Sequence, residues 1–218
     1  MDLQYILRAI SVGAIPVLLA VTLHEVAHGR AARAFGDRTA EMLGRLSLNP
    51  LKHIDPIGTV LLPGFLFFVG SPFLFGWAKP VPVDARNFPK PRRDMAIVAA
   101  AGPASNLLMA ILWTVLAGLA ARGLFGAGAL AAWLFQMGEI GLLFNVLLAV
   151  FNLVPIPPLD GGRVLVGVLP LGAARAVARL EPYGLWIVIG LLLLSQRSGY
   201  SLSPVVDRIS HAIVRVFT

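Results

Sequence analysis

The sequence predicts an all-α polytopic membrane protein, a helical bundle with one re-entrant segment and a short extended, edge-strand loop. Of its 218 residues, 57% are hydrophobic and 13% are charged, whereas an average soluble domain is about 25% charged. The mean hydropathy is +0.81. Apolar runs that approach or reach the roughly 20 residues needed to cross a bilayer recur along the chain. The length allows one compact unit, and we expect a single membrane-embedded domain over residues 1–218.

The chain is basic, with a formal net charge of +7, but its positive residues lie in short loops between apolar runs. That distribution follows the positive-inside rule, in which Lys and Arg mark cytoplasmic loops. No combined basic and aromatic pattern for nucleic-acid binding is present, so we expect the lipid bilayer and no nucleic acid as a partner. The sequence has no cysteine, which excludes a disulfide framework and a thiolate metal site. Any metal must be held by His, Asp or Glu.

The first apolar run, predicted as a helix over residues 4–29, ends in an H-E-x-x-H pattern. Positions four apart lie on one face of an α-helix, so His24 and His28 can present two imidazole nitrogens to one metal ion. Glu25 lies beside them and can reach a metal-bound water, which is the arrangement of zinc hydrolases. Ionisable groups at membrane depth are costly and mark functional sites. We therefore predict a metal centre at the end of this helix.

Residues 57–76 are apolar over a length that could cross the bilayer, but a Pro-Gly pair and a Gly-Ser-Pro triplet interrupt them. Basic residues lie on both sides of the segment, and a single crossing would put one basic loop outside. We therefore predict a re-entrant excursion, which is allowed where protein or a water-filled cavity covers irregular backbone. Residues 76–89 contain too many prolines for a helix, and Pro80 and Pro82 favour an extended or edge-strand form.

Four further elements are predicted downstream. Residues 94–121 form a second long crossing, and residues 130–154 return before a run of prolines ends the helix. Residues 182–196 form a last, rather short apolar run. Residues 204–217 place apolar and charged side chains on opposite sides of a helix, which is typical of an amphipathic helix at the membrane interface.

The direction of each crossing brings the unusual polar residues into one cytoplasm-facing layer. The first and third crossings end on the cytoplasmic side, and the second begins there. His24, His28 and Asp160 then supply three nitrogen and oxygen ligands and leave a fourth zinc position for water. With Glu25 as base, such a set can hydrolyse a peptide bond. Alternatively, Asp160 is only the N-cap of a helix over 161–169.

Several stretches, in this order, resemble the site-2 protease family of intramembrane zinc metalloproteases. They are the H-E-x-x-H pattern, the Gly-Pro-Ala-Ser-Asn stretch at 102–106 and the Asn-Leu-Val-Pro-Ile-Pro-Pro-Leu-Asp-Gly stretch at 152–161. Residues 44–50 and 75–80 also resemble the prokaryotic branch of this family. The chain lacks the PDZ and nucleotide-sensing modules of other members, which leaves substrate selection and regulation open.

The resemblance implies an enzyme with one Zn2+ per chain in the cell membrane of a prokaryote, with the active site facing the cytoplasm. Its implied substrate is another membrane protein, cut within or near a transmembrane helix. The oligomeric state is left open. The implied site residues are His24, His28 and Asp160 as zinc ligands, Glu25 as general base, and Asn152 and Asn106 as substrate-binding or oxyanion residues.

Two alternatives remain open from the residues. A different membrane zincin would use a distant Glu as third ligand, with Glu41, Glu139 and Glu181 as candidates, although none has the setting of Asp160. A metal or proton transporter would use the His, Glu and Asp cluster as a pathway. Transporters usually show repeated halves, and this sequence shows no repeat.

The extended stretch from Trp77 to Val83 has a predicted role in opening the substrate. A peptide bond inside an α-helix is shielded by its hydrogen-bond ladder, so a short piece must unwind and find new backbone partners. Strand addition to this stretch would supply them, although a loop of this kind could also merely cover the site. Because prolines cannot donate, the predicted donors are the N–H groups of Ala78, Lys79, Val81 and Val83.

Overall fold

The computed structural model describes residues 3–70, 76–198 and 201–218. These residues form helices joined by turns and loops, and no β-strand occurs among them. Four apolar helical stretches are long enough to cross a membrane. The prediction of an all-α polytopic membrane protein is therefore confirmed. The four stretches are Ile10–Ala34, Pro91–Ala121, Ala129–Asn152 and Leu171–Ser195.

The α-helices follow one another with short connections. In chain order they are α1 (Leu3–Ala34), α2 (Thr39–Met42), α3 (Leu62–Phe68), α4 (Pro91–Ala121), α5 (Ala129–Asn152), α6 (Asp160–Val168), α7 (Leu171–Ala178), α8 (Gly184–Ser198) and α9 (Ser203–Phe217). Helical turns of 3-10 or π type lie at Pro50–His53, Pro56–Leu61, Ala85–Asn87 and Glu181–Tyr183.

Helix α4 is the centre of the bundle, because it packs against α1, α5, α6 and α9. The residues at its buried positions are mostly small. Small residues let neighbouring helices approach closely, and in a membrane this close packing replaces the hydrophobic effect as the force that holds helices together. This packing places one end of α1, the first half of α4 and the start of α6 side by side. The buried small residues of α4 are Ala96, Ala99, Gly102, Ala110, Ala117 and Ala120.

The segment predicted to re-enter forms the π turn at Pro56–Leu61 and then α3. This apolar helical piece is too short to cross a bilayer as one helix. Several of its large side chains are exposed, among them Phe65, Phe67 and Phe68. Residues 71–75 lie outside the described residues, and re-entrance remains a prediction.

We call residues 76–84 the strap. The strap contains no helix or turn, and alternate N–H groups in it donate to other segments, as in an extended chain. Trp77 N donates to the Gly58 carbonyl at 3.1 Å, and Lys79 N donates to the His53 carbonyl at 2.9 Å. The predicted extended loop is therefore present, but as a loop tied to its neighbours and without a β-ladder in the described residues.

Helix α9 coincides with the predicted amphipathic helix. Its apolar face packs on α4 and α5, where Val206 and Ile209 contact a cluster that includes Ala110 and Val146. The Arg122 guanidinium at the end of α4 donates to the Thr218 carbonyl. Protein therefore covers the side of α9 that carries Val206 and Ile209, whereas Val205 and Val216 are exposed. The position of α9 at the membrane interface remains a prediction.

Candidate metal centre

The two histidines of the H-E-x-x-H pattern lie one turn apart on α1 and face Asp160 at the start of α6. Their Nε2 atoms are 3.1 Å apart. Asp160 Oδ2 lies 3.2 Å from His24 Nε2 and 3.3 Å from His28 Nε2. All three residues are largely buried, with 6%, 9% and 8% of their surfaces exposed for His24, His28 and Asp160. The structure thus brings together the three predicted ligands.

Hydrogen bonds on the far side of each imidazole determine which nitrogen carries the proton. His24 Nδ1 lies 2.6 Å from Asn106 Oδ1, and His28 Nδ1 lies 2.7 Å from the Val98 carbonyl oxygen. The Val98 oxygen is a backbone carbonyl and can only accept. The Asn106 oxygen also accepts, because the Nδ2 of this amide donates to the Ala20 carbonyl and to Asn145 Oδ1. Each Nδ1 therefore donates, and each Nε2 keeps its lone pair for a metal.

The donor set fits a zinc ion. Two bare imidazole nitrogens and the carboxylate oxygen of Asp160 converge without a proton between them, and that oxygen is buried without a hydrogen-bond donor. Three lone pairs at such separations repel one another unless a cation lies between them. Tetrahedral zinc bonds of about 2.0–2.1 Å put ligand atoms about 3.3 Å apart, close to the 3.1–3.3 Å observed here.

Asp160 owes its position to the chain reversal before α6. Leu159 is the N-cap of this helix and makes no capping bond with its side chain, so Asp160 is the first helical residue. The alternative in which Asp160 is only an N-cap is therefore wrong. The two glycines that follow let α6 fold tightly against the preceding turn. A Cβ at Gly162 would lie 2.3 Å from Pro157 N, which explains the Asp-Gly-Gly sequence.

Helix α4 lies against the imidazoles at Gly102. A Cβ at this position would lie 2.4 Å from His28 Nε2 and 2.7 Å from His24 Cε1. Only glycine leaves room for both rings and a bound ion at this approach of two helices. The Gly-Pro-Ala-Ser-Asn stretch therefore serves the site twice, through Gly102 beside the rings and through Asn106 behind one of them.

The two asparagines expected at the substrate lie in different places. Asn106 is fully buried, and its amide oxygen and nitrogen are both bonded inside the protein. Asn106 lies behind His24, and its expected contact with substrate remains a prediction. Asn152 is half-buried and donates to the Leu148 carbonyl of its own helix at 2.9 Å. Its contact with substrate remains a prediction.

Sequence reasoning gave no role to Asn145. This residue is fully buried in α5 and joins Asn106 to the Gly141 carbonyl, with hydrogen bonds of 2.9 and 2.8 Å. The chain of bonds therefore runs from the metal ligand His24 through α4 into α5. Its signal in the sequence was an amide in an otherwise apolar helix, a setting in which polar groups need partners.

Glu25 lies next to His24 on α1 and contacts the strap. Its Oε2 accepts the Val81 N–H at 2.7 Å. Lys79 N–H is also taken, by the His53 carbonyl. The prediction that these two groups are free to pair with substrate is therefore wrong. Ala78 and Val83, the other two predicted donors, make no N–H hydrogen bond to another described residue.

The alternative third ligands lie elsewhere. Glu41 pairs with Arg33 at 3.0 Å and with Arg38 at 3.1 Å. Glu181 lies 3.7 Å from Arg163, and Glu139 does not belong to the metal-ligand cluster either. The geometry therefore favours Asp160 over the three glutamates.

A cleft of about 490 Å³ lies between the strap and α6. It is lined mainly by apolar side chains, with one Arg and one Glu among them. Val81, whose N–H meets Glu25, and Gly162, two residues after Asp160, line the cleft, whereas none of the three metal-ligand residues does. Its lining includes Pro80, Pro82, Met95, Arg163, Val166 and Glu181.

A bundle of apolar, span-length helices with a buried two-histidine, one-carboxylate zinc site defines a membrane-embedded metallohydrolase. The sequence profile of peptidase family M50 matches residues 124–195. YwhC of Bacillus subtilis, named as a candidate zinc metalloprotease, is 38% identical over 205 residues, which cover 94% of this chain and 90% of YwhC. The chain belongs to peptidase family M50, the site-2 protease family, and is a zinc metalloprotease of the membrane.

Two further relatives carry the same kind of name. Rip2 of Mycolicibacterium smegmatis is 36% identical over 176 residues, covering 81% of this chain and 64% of the relative. Rip2 of Mycobacterium tuberculosis H37Rv is 34% identical over 184 residues, covering 84% and 67%. No solved structure gives a significant match. The family assignment favours an enzyme over the transporter considered from the sequence.

Proposed function

We propose that this protein hydrolyses a peptide bond within or near a transmembrane helix of another membrane protein, with Glu25 as the general base. The observation that carries this proposal is the position of the metal-ligand cluster. His24 and His28 belong to a helix of span length, and Asp160 begins α6 after the loop that follows another such helix, α5. A protease site built into such a bundle meets substrates that are themselves in or at the membrane.

His24, His28 and Asp160 would hold the zinc ion, which would supply a polarised water molecule with a pKa lowered to about 7. Glu25 takes a proton as the water oxygen attacks the carbonyl carbon of the scissile bond. It then passes that proton to the amide nitrogen, the C–N bond breaks, and the amine leaves. Asn106 and the Val98 carbonyl hold the His24 and His28 rings in the tautomer that this arrangement needs.

The cleft between the strap and α6 is suited to an extended piece of substrate. A helical substrate must unwind there, and its freed backbone groups need partners at a cost of several kcal/mol each if unmet. We infer that substrates with Gly, Pro or Asn near the cut are preferred, because these residues lower the cost of unwinding. We also infer that the site faces the cytoplasm, since basic residues dominate the loop after α1.

The test compares the wild type with Glu25→Gln, which keeps the shape of the side chain but cannot take the proton. Each is co-expressed with candidate single-span membrane proteins, and zinc is measured in the purified proteins. We expect about one zinc per chain in both and substrate fragments from the wild type alone. Substantial cleavage by purified Glu25→Gln would remove Glu25 from the role of base.

A further inference from the structure

We propose that the backbone N–H of Val81 positions the carboxylate of Glu25 for catalysis. Arg45 and Asp37 are then positioning residues, because they hold the strap that carries Val81. This inference rests on the proposed function of Glu25 as base. It assigns to the strap a task inside the catalytic machinery, beyond covering the site or binding substrate.

The contact itself has the geometry of a strong hydrogen bond. Val81 N lies 2.7 Å from Glu25 Oε2, which is short for an N–H bonded to a carboxylate. A glutamate side chain has several rotatable bonds, and α1 fixes only its root. One bound oxygen fixes the orientation of the carboxylate and leaves Oε1 to take a proton. Misplacement of a reacting group by about 1 Å can lower the reaction rate about 100-fold. We therefore expect this hydrogen bond to have a large effect on the rate.

The strap is anchored before Val81. Thr59 Oγ1 donates to the Trp77 carbonyl at 2.8 Å. Lys79 is held from both of its backbone groups, since its N–H donates to the His53 carbonyl and its carbonyl accepts from Arg45 Nη2 at 2.9 Å. Arg45 therefore fixes the strap two residues before the N–H that meets Glu25.

The strap is also anchored after Val81, by Asp37. This residue is fully buried between the end of α1 and the end of the strap. Its Oδ2 accepts the Asp84 N–H at 2.7 Å, and its Oδ1 accepts from Thr39 and from Asn87 Nδ2. Both ends of the strap are thus tied to the segments that follow α1. Val81 lies between the two ties.

The two prolines make Val81 the only donor at the centre of the strap. Pro80 and Pro82 have no N–H and restrict the backbone to an extended form. Neighbouring residues of an extended chain point their N–H groups to opposite edges. On one edge the N–H groups of Trp77, Lys79 and Val81 are bonded, which leaves Val83, whereas the other edge lacks donors at both prolines. The strap therefore offers few N–H donors for β-type pairing with a substrate strand. This favours a role for the Val81 N–H in positioning Glu25.

Hydrogen–deuterium exchange on the intact protein tests the contact without relying on activity. Val81 is the only exchangeable amide between Pro80 and Pro82, so its exchange can be resolved from its neighbours. We expect slow exchange in the wild type and in Glu25→Gln, which keeps an acceptor oxygen. Glu25→Ala should exchange faster at Val81 with zinc content unchanged. Equal exchange in all three proteins would overturn the proposal.

Kinetics on a helical and an unfolded peptide substrate test the consequence. Val81→Pro deletes the donor, whereas Val81→Ala keeps it and removes only the buried side chain. We expect Val81→Pro to lower kcat by about 10- to 100-fold on both substrates, with KM within about twofold and zinc retained. Val81→Ala should lose much less. Arg45→Met, which has no donor, should also lower kcat, and Arg45→Lys should restore part of it, because lysine can still donate to the Lys79 carbonyl.

The outcomes separate this inference from the proposed function. If Glu25→Gln is inactive and Val81→Pro keeps its kcat, the inference fails and the proposed function stands. If Glu25→Gln stays active, the proposed function itself fails. A loss confined to KM or to the helical substrate would show that Val81 pairs with substrate, which also overturns the inference. If Val81→Pro loses its zinc or its fold, exchange at Val81 in Glu25→Ala decides.

Discussion

Residues behind the predicted zinc ligands hold the imidazole rings in place. Asn106 fixes the tautomer of His24 and is itself fixed by Asn145. We predict that Asn106→Ala lowers zinc affinity by about 10- to 100-fold, as loss of a partner behind a ligand generally does. Competition with a chelator of known affinity measures it. Thr114→Ala is the matched control, because Thr114 is a buried polar residue of the same helix that bonds only to the Ala110 carbonyl. Equal affinity in both variants would contradict the prediction.

The ligands themselves give a second prediction. His24→Ala, His28→Ala and Asp160→Ala should each lower zinc occupancy strongly, because three donors are the minimum for a stable site with an open position. Glu41→Ala and Glu139→Ala should retain about one zinc per chain, as measured by elemental analysis of the purified protein. Full zinc in Asp160→Ala together with loss in Glu139→Ala would show that the third ligand is wrong.

Sequence patterns predicted the three residues that the structure brings together, but only part of what supports them. The spacing of four between His24 and His28 directly reports one helix face, and crossing directions placed Asp160 on the same side. The role of the Val98 carbonyl could not be predicted, because every residue has a backbone carbonyl and only helix packing decides which one meets His28. The hydrogen bond between Glu25 and Val81 likewise depends on tertiary packing. The prolines predicted an extended strap and its N–H donors, but not that Glu25 would accept from Val81.

Among the helices, the approach of α4 to α1 sets the room available at the site. Gly102→Ala would put a Cβ 2.4 Å from His28 Nε2. We predict loss of zinc and a destabilisation of about 1–3 kcal/mol, the usual cost of overpacking, measured by zinc content and thermal unfolding in detergent. Gly13→Ala is the control on α1, since a Cβ there meets nothing within 4 Å. A zinc-loaded Gly102→Ala of normal stability would contradict this account of the packing.

The tie between α1 and the strap should depend on pH. Burial raises the pKa of Asp37, but hydrogen bonds from Thr39, Asp84 N–H and Asn87 outweigh it and hold that pKa below its ordinary value of 3.8. A carboxyl with a depressed folded pKa contributes stability above its unfolded pKa and loses it as the pH falls through the folded pKa. Asp37→Ala should therefore cost about 1–3 kcal/mol at neutral pH, and the difference should shrink below pH 3.8.

Thermal unfolding across pH measures this difference, and Asp84→Asn serves as the control. The Arg86 guanidinium lowers the pKa of Asp84 to about 2, but this pair is exposed at the surface and contributes little to stability. We expect only a small change from Asp84→Asn at any pH. A pH-independent loss in Asp37→Ala would mean that its charge does not hold the strap.

Apolar runs and helical periodicity predicted where the helices lie in the chain better than they predicted which helices pack together. The apolar runs gave α4 and α5 to within a few residues, because length and composition suffice for a spanning helix. The last span was predicted short, since Glu181 and a proline interrupt the apolar pattern between α7 and α8, and the structure extends it to Leu171–Ser195. For α9 the period predicted an amphipathic helix, but not that α4 and α5 would cover the side that carries Val206 and Ile209.

Across the whole molecule, charge and helix direction predict that every part of the site lies on one side of the membrane. Arg30, Arg33 and Arg38 follow the zinc-binding end of α1. The strap is likewise followed by a cluster of basic residues before α4. An odd number of crossings between these two regions would put one of them outside, against the positive-inside rule. We therefore predict that residues 57–76 do not cross the membrane singly.

Single cysteines test this topology sharply, because the chain has no cysteine of its own. Leu43→Cys and Leu124→Cys replace exposed loop leucines on opposite predicted sides, with 63% and 65% exposure. A membrane-impermeant maleimide should label Leu124→Cys in intact cells. It should label Leu43→Cys, Arg86→Cys and Gly172→Cys only after the cells are permeabilised. Labelling of Arg86→Cys in intact cells would make residues 57–76 a true span and would separate the strap from the cytoplasmic layer that contains the metal ligands.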